Sequence, residues 1–237
     1  MTRRRFIADT WTEGSASLRG DQAIHLARVL RAEPGQIYDI VAGGFLHRAE
    51  IERVAEDEVR FRLHEQLESE GALPLHLLLA VFKFDHFEWA IEKATELGAA
   101  RVTPLLARRT EKHLALAAGK RVERWRRIAL ESAKQSRRVD VPAIDDPVAL
   151  KAALEQVTGA TRILLSETEQ AVTLRAALAG SEQREVALAI GPEGGWAPEE
   201  MALFTGQGWA PVTLGPRILR AETAAIAAIA IASSCMG

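Results

Sequence analysis

Two loops in the last quarter of this 237-residue chain hold the residue types best suited to chemistry. The first reads Ala189-Ile190-Gly191-Pro192-Glu193-Gly194-Gly195-Trp196. The second reads Leu214-Gly215-Pro216-Arg217-Ile218-Leu219-Arg220-Ala221-Glu222-Thr223-Ala224. Each follows a short apolar run, Val186 to Ile190 and Pro211 to Leu214, and each leads into a helical pattern. Two strand-loop-helix turns of this kind set exposed backbone N–H and C=O groups side by side at one edge of a sheet, which suits a small polar ligand. A Gly-Gly pair after a strand is most often just a turn that needs positive φ. The presence of a second such loop, with Glu193, Arg220 and Glu222 embedded in the two, shifts the reading toward a site.

The elements that must position these loops form a strand-helix alternation over 72–237. Leu75 to Phe82 is a nearly continuous apolar run, as in a strand buried on both faces. A helix from about Asp85 to Leu97 follows and ends at Gly98, a C′ glycine. Val102 to Leu106 reads as a strand and Lys120 to Arg137 as a basic helix; Pro147 opens another helix at N1, running to Val157. Strands at Thr161–Leu165, Val186–Ile190 and Pro211–Leu214 alternate with helices at Val172–Leu178, Pro198–Phe204 and Arg220–Ser233. The pattern predicts an α/β domain with a mainly parallel sheet. Residues 1–71 differ in texture. Asp21 N-caps a helix through Ile24, Leu26, Val29 and Leu30, and a hairpin joins Gln36–Val41 to Phe45–Val54 across Gly43-Gly44. With Val59–Leu63 these short strands suggest a small β-barrel, and Glu68-Ser69-Glu70-Gly71 reads as a linker.

Composition narrows the class. The chain is 48% hydrophobic and 26% charged, as in a soluble globular protein. One cysteine, Cys235, excludes an intrachain disulfide and suits a reducing cytoplasm. No apolar h-region follows the basic start, and the longest apolar stretch, Ala224 to Ala232, is too short to cross a bilayer. The six histidines show no metal-ligand spacing, so no metal is expected. Net charge is −2, yet Arg101 to Arg138 holds twelve Lys or Arg against three Glu, a local +9 on a remainder of −11. That concentration reads as an RNA-facing patch, its alternative being a solvated helix face.

The two loops resemble signature segments of the RsmE family of SPOUT-class methyltransferases. So do Glu92-Lys93-Ala94-Thr95-Glu96-Leu97-Gly98 and Ser132-Ala133-Lys134-Gln135-Ser136-Arg137-Arg138, with Lys134 where the family usually has Glu and Ala221 where it often has Thr. The resemblance spans nearly the whole chain. It implies a PUA-like or OB-like RNA-binding barrel over 1–71 and a SPOUT domain with a deep trefoil knot over 72–237. It also implies a homodimer, S-adenosyl-L-methionine as cofactor, and methylation of N3 of one uridine in 16S rRNA of the small ribosomal subunit. The related alternatives are another SPOUT target, such as a ribose 2′-hydroxyl or a tRNA base, and an RNA-binding module that no longer catalyses. No G-x-G loop follows an early strand, which argues against a Rossmann-type methyltransferase.

On this resemblance the cofactor contacts fall on Leu165 and Ser166, on Ile190, Gly191, Pro192, Glu193, Gly194 and Gly195, and on Leu214, Gly215, Ile218 and Leu219. Arg220 is the candidate to face charge developing on the uracil, its alternative being a pair with Glu222 or Glu193. Glu222 is either a catalytic residue or a brace, and the general base stays open between bulk water, Glu222 and a residue of the other subunit. Candidate RNA contacts are Arg3, Arg4, Arg5, Arg28 and Arg31, and, in the basic segment, Arg124, Arg127, Arg137 and Arg138. The alanine-rich last helix must be buried, on the chain's own sheet or in self-association.

Overall fold

The computed structural model describes residues 5–179 and 185–236. Its chain divides into two compact units: residues 1–71 with 133–140, and residues 72–132 with 141–237. The cut after Gly71 falls at the polar linker, but the segment 133–140, read from sequence as part of the larger domain, is counted with the first unit.

The first unit holds β1 (Arg5–Ile7), β2 (Thr10–Trp11), β3 (Ser15–Arg19), α1 (Gly20–Ile24), β4 (Ile37–Ala42), β5 (Phe45–Val54) and β6 (Glu58–Leu67). They form one sheet in the order β1-β4-β5-β6-β3-β2, antiparallel except for the β1–β4 pair. Alternation sends Leu18, Ile40, Ile51, Val59 and Phe61 into one core. The hairpin is as read: Ala42 faces Phe45, and Gly43 and Gly44 carry φ of +62° and +85°, the pair of left-handed residues a two-residue turn needs. The helix read from Asp21 differs. It starts at Gly20 without a side-chain cap, places Asp21 in the first turn, where its charge suits the dipole, and continues as a π-helical turn over His25–Val29.

The second unit holds β7 (Leu73–Ala80), α2 (Phe84–Glu96), β8 (Ala99–Leu106), α3 (Lys112–Ala118), α4 (Val122–Gln135), β9 (Ala143–Ile144), β10 (Val148–Ala149) and α5 (Leu150–Gln156). It continues with β11 (Thr161–Leu165), α6 (Leu174–Ala179), β12 (Val186–Ile190), α7 (Pro198–Gly206), β13 (Ala210–Val212) and α8 (Ala221–Met236). The sheet is parallel throughout, in the order β10-β8-β7-β12-β11-β13, with β9 pairing β8. The apolar run of β7 serves both faces. Leu75, Leu77 and Leu79 pack with α2, α4, α6 and α8, while Leu78 and Ala80 pack with α5 and α7. Alanines 221, 225, 228 and 232 lie in the first of these cores, on the chain's own sheet. Pro147 does not open a helix: Val148 and Ala149 first pair with Leu105 and Leu106 of β8, and α5 begins only at Leu150. Among the described residues no helix is long and apolar enough to cross a membrane, and no cluster of three metal-ligating side chains forms.

One polar group in this sheet sets a pH response. His76 Nε2 lies 2.7 Å from Thr103 Oγ1, whose hydroxyl donates to Asp145, which also accepts from Arg101 Nε at 2.7 Å. The threonine's single proton is spent on the carboxylate, so the imidazole must donate Nε2–H and needs no second proton. Burial, then the Arg101 charge, lowers the His76 pKa to about 4, with Asp145 opposing. An unfolded histidine takes up a proton near pH 6.5 while the folded one waits until about 4, so stability falls as pH drops through that window. Denaturant unfolding at pH 7 and pH 5 should show this one group removing up to about 2 kcal/mol. His76→Gln should flatten the slope by that amount, and an unaltered slope would refute the assignment.

Candidate functional site

Topology brings the loops together. In sequence the strands run β11, β12, β13, but in space β11 lies between the other two. Leu164 is level with Ala189 of β12, and Leu165 with Val212 of β13. The segments that leave these strands, starting at Ser166, Gly191 and Thr213, therefore emerge side by side from the carboxyl ends of a parallel sheet. This is where the strand order reverses and ligands bind in open α/β sheets.

Each loop is fixed by its own residues. In the first, Gly195 N–H donates to Pro192 O at 2.8 Å, closing a tight turn with Gly195 at φ +70°. Trp196 is buried against Phe204, and its Nε1–H donates to Leu165 O at 3.3 Å, tying this loop to the end of β11. The indole lies so near Gly191 that a Cβ there would stand 3.1 Å from it. Pro198 starts α7, and the buried Glu200 reaches back, accepting from Ala197 N at 2.8 Å and from Arg108 N at 2.7 Å. That carboxylate joins the helix start to the segment after β8. From the same segment Arg109 Nη1 donates to Gly194 O. In the second loop Thr213 Oγ1 bonds both Gly215 N and Gly215 O at 3.1 Å. Among the described residues the backbone N–H groups of Glu193, Gly194, Ile218 and Leu219 make no hydrogen bond. The Ile218 side chain is 87% exposed. Free donors and an apolar side chain left in water, on loops anchored at both ends, are what a ligand site presents before its ligand arrives.

The two candidate catalytic residues part company. Glu222 is only 4% exposed and turns inward, where its Oε1 lies 3.2 Å from His86 Nδ1. Its Oε2 is buried without a hydrogen-bond partner. Arg220, two residues earlier, is exposed and makes no ion pair among the described residues, neither with Glu222 nor with Glu193. The segments leaving the sheet end thus carry Leu165, Ser166, residues 190–195, residues 214–219 and Arg220, while Glu222 is buried beside His86. His86, Arg109, Glu167 and Glu200 were missed in the sequence. Only Glu200, three residues into a helix opened by proline, carried a signal, that of a carboxylate reaching back to its own helix start.

The arginines read as RNA contacts also divide. Arg3 and Arg4 lie outside the described residues. In the first unit Arg5 donates to Arg137 O, Arg28 pairs with Glu56, and Arg31 and Arg137 are exposed with φ of +49° and +59°. Arg138 is corrected: its side chain is 9% exposed and its Nε donates to Asp140 at 2.8 Å, so it offers no free charge to a phosphate. In the second unit Arg127 is exposed and without an ion pair among the described residues, while Arg124 binds Glu88 at 2.7 Å. Arg101, Arg121 and Arg126 likewise have carboxylate partners, so the free positive surface is smaller than the sequence count.

Residues 69–233 match the RNA methyltransferase domain family. The chain is similar to the ribosomal RNA small subunit methyltransferase E of Synechocystis sp., 36% identical over 222 residues, covering 92% of this chain and 72% of that protein. Among solved structures it resembles a Legionella pneumophila methyltransferase in complex with the cofactor SAM, at 30% identity and a TM-score of 0.81, covering 99% and 98% of the two chains. It also resembles the ribosomal RNA small subunit methyltransferase E of Neisseria gonorrhoeae bound to S-adenosyl methionine, at 25% identity and a TM-score of 0.82, covering 98% of each chain.

Proposed function

The chain belongs to the ribosomal RNA small subunit methyltransferase E family of SAM-dependent rRNA methyltransferases, and we propose that its target is N3 of one uridine in 16S rRNA of the small subunit. The observation that carries this reading is the convergence of three loops at the ends of β12, β11 and β13, with an unpaired arginine at its rim.

The residues fit the cofactor. The left-handed Gly195 leaves a concavity that any side chain would begin to fill, the free N–H groups of both loops can bind adenosine, and Ile218 and Leu219 can cover its ring. When bound, S-adenosylmethionine supplies an electrophilic methyl group. The chain's own task is to orient the uridine and to favour loss of its N3 proton. Arg220 does this by placing a permanent cation where negative charge spreads onto the uracil oxygens. Glu222, held by His86, keeps the start of α8 in place and leaves Arg220 unneutralised. The knot reading rests on the likeness of the two glycine-proline loops to those of the SPOUT class. Ile226, Ala227 and Ala230, partly or fully exposed on one face of α8, support a homodimer. The single exposed Cys235 suits the cytoplasm.

For the first unit we read the six-stranded sheet as a PUA-like RNA-binding domain, and Arg137 argues for it. The end of α4 is a Schellman motif: Arg138 N–H donates to Ala133 O at 3.0 Å and Arg137 N–H to Lys134 O at 3.3 Å. Arg137 then occupies the left-handed C′ position where glycine is favoured. An exposed arginine kept at that cost suggests a use other than stability. Arg137→Gly should raise stability by about 1 kcal/mol, or Tm by about 3 °C, while weakening rRNA binding. A variant that gains stability and binds RNA equally well would remove Arg137 from the interface.

The decisive assay incubates the protein with methyl-labelled S-adenosylmethionine and small subunits lacking the modification, then identifies the labelled nucleoside. Label in 3-methyluridine at one site supports the proposal. Label in another nucleoside keeps the enzyme class and replaces the target.

A further inference from the structure

We propose that Glu167 and Arg109 form a charge clamp for the zwitterionic end of the cofactor, the carboxylate taking its α-ammonium and the guanidinium its α-carboxylate. This rests on the reading that the first glycine loop lines the cofactor site.

The two residues come from different loops and converge on the same glycine pair. Glu167 lies two residues past the end of β11, exposed and without an ion pair among the described residues. Its Oε1 is 3.2 Å from where a Cβ on Gly195 would stand. Arg109 arrives from the turn after β8. Its Cδ is 3.4 Å from the Cβ position of Gly194, and its Nη1 is 3.8 Å from that of Gly195. Opposite charges thus stand within 4 Å of one point, yet they are not joined in a salt bridge. Gly195, having no side chain, keeps the space between them open.

Arg109 has donors to spare. Guanidinium carries five N–H groups, and the described bond to Gly194 O uses one. That bond fixes the fork at the loop and leaves other N–H groups for a planar carboxylate, the geometry arginine serves best. Glu167 has both oxygens free to accept from an ammonium. A ligand bearing –NH3⁺ and –COO⁻ on one carbon can satisfy both groups at once, whereas an adenosine compound lacking the amino-acid part leaves both unsatisfied. The backbone donors of the loops recognise the adenosine half; the clamp selects for the methionyl half.

Calorimetric binding to the full-length protein tests this with three ligands: S-adenosylmethionine, S-adenosylhomocysteine and 5′-methylthioadenosine. Glu167→Gln should weaken the first two alike, about tenfold, and leave the third unchanged. Arg109→Met should likewise weaken S-adenosylhomocysteine much more than 5′-methylthioadenosine. If Glu167→Gln affects S-adenosylmethionine but not S-adenosylhomocysteine, the carboxylate faces the sulfonium and the assignment is overturned. If Arg109→Met weakens all three equally, Arg109 only braces the loop and its half of the clamp fails. Unchanged affinities in both variants overturn the whole proposal. A wild-type protein that binds none of the three instead removes the cofactor reading beneath it.

Discussion

Gly195→Val is expected to abolish cofactor binding, raising the Kd for S-adenosylmethionine by at least about 100-fold, while lowering the unfolding midpoint by no more than about 6 °C. Gly195 has φ +70°, a conformation that a β-branched residue adopts only at a cost of about 2 kcal/mol. Its N–H closes the turn onto Pro192 O, so relieving the strain by rotating φ would open that turn. Staying in place is no easier, because the new Cβ would stand 3.2 Å from Glu167 Oε1 and its methyl groups would intrude further. Either response displaces Gly194, whose N–H is free for a ligand and whose carbonyl accepts from Arg109. The loss of global stability should stay within that strain of about 2 kcal/mol, since the loop is anchored beyond the substitution by buried Trp196 and by Glu200 at the start of α7. Calorimetric titration beside a thermal melt separates the two effects. A folded Gly195→Val protein that binds the cofactor within threefold of wild type would show that this loop does not line the pocket.

The parts of this architecture that were legible in the sequence are those whose signal is local. Ile163 to Leu165 and Val186 to Ile190 are apolar runs that precede a loop, and the strands Thr161–Leu165 and Val186–Ile190 end where those runs end. Gly43-Gly44 and Gly98 mark a turn and a helix end because each needs a positive φ that few other residues adopt readily. The same locality explains the failures. β1 and β2 have three and two residues, too few to display a period, and β3 alternates but carries only Ala16 and Leu18 as apolar residues; none of the three was read. α3 lies between basic residues in a stretch with only a short apolar signal, Leu114 to Ala118, and was also missed. Pro147 looked like a helix start because its neighbours form helix well; the decisive term was a pairing with β8, invisible from either segment alone.

The candidate site divides along the same line. The loops were legible because glycine and proline constrain backbone, and backbone is what they contribute. The side chains that hold or surround the loops were not, because their partners are distant in sequence. Glu222 meets His86, Glu200 meets Arg108, and Arg109 meets Gly194. Charge counting failed for a related reason. It sums formal charges, whereas Arg101, Arg121, Arg124, Arg126 and Arg138 are partly neutralised by carboxylates that folding brings to them.

That pairing logic gives Arg220→Ala a definite expected result: turnover falls by about 100-fold or more, S-adenosylmethionine affinity stays within a few fold, and the fold becomes slightly more stable. Arg220 O accepts from Ala224 N at 2.8 Å, so the residue stands at the start of α8. A cation there opposes the helix dipole and costs about 0.3–1 kcal/mol. No described carboxylate offsets it. Glu222, close enough in sequence to do so, is instead buried against His86. A residue that stabilised the loops would show the reverse pattern, a partner and no dipole conflict. An exposed, unneutralised guanidinium at the rim of the cofactor loops fits a cation held ready for charge that appears on the substrate. Removing one preorganised donor to such charge typically costs 100- to 1,000-fold in rate, roughly 3–4 kcal/mol. Single-turnover methylation under saturating cofactor reads the chemical step directly, and a melt reads the small stabilisation. An unchanged single-turnover rate would end the catalytic assignment. A lowered Tm with an equal loss of rate and cofactor affinity would make Arg220 a structural residue.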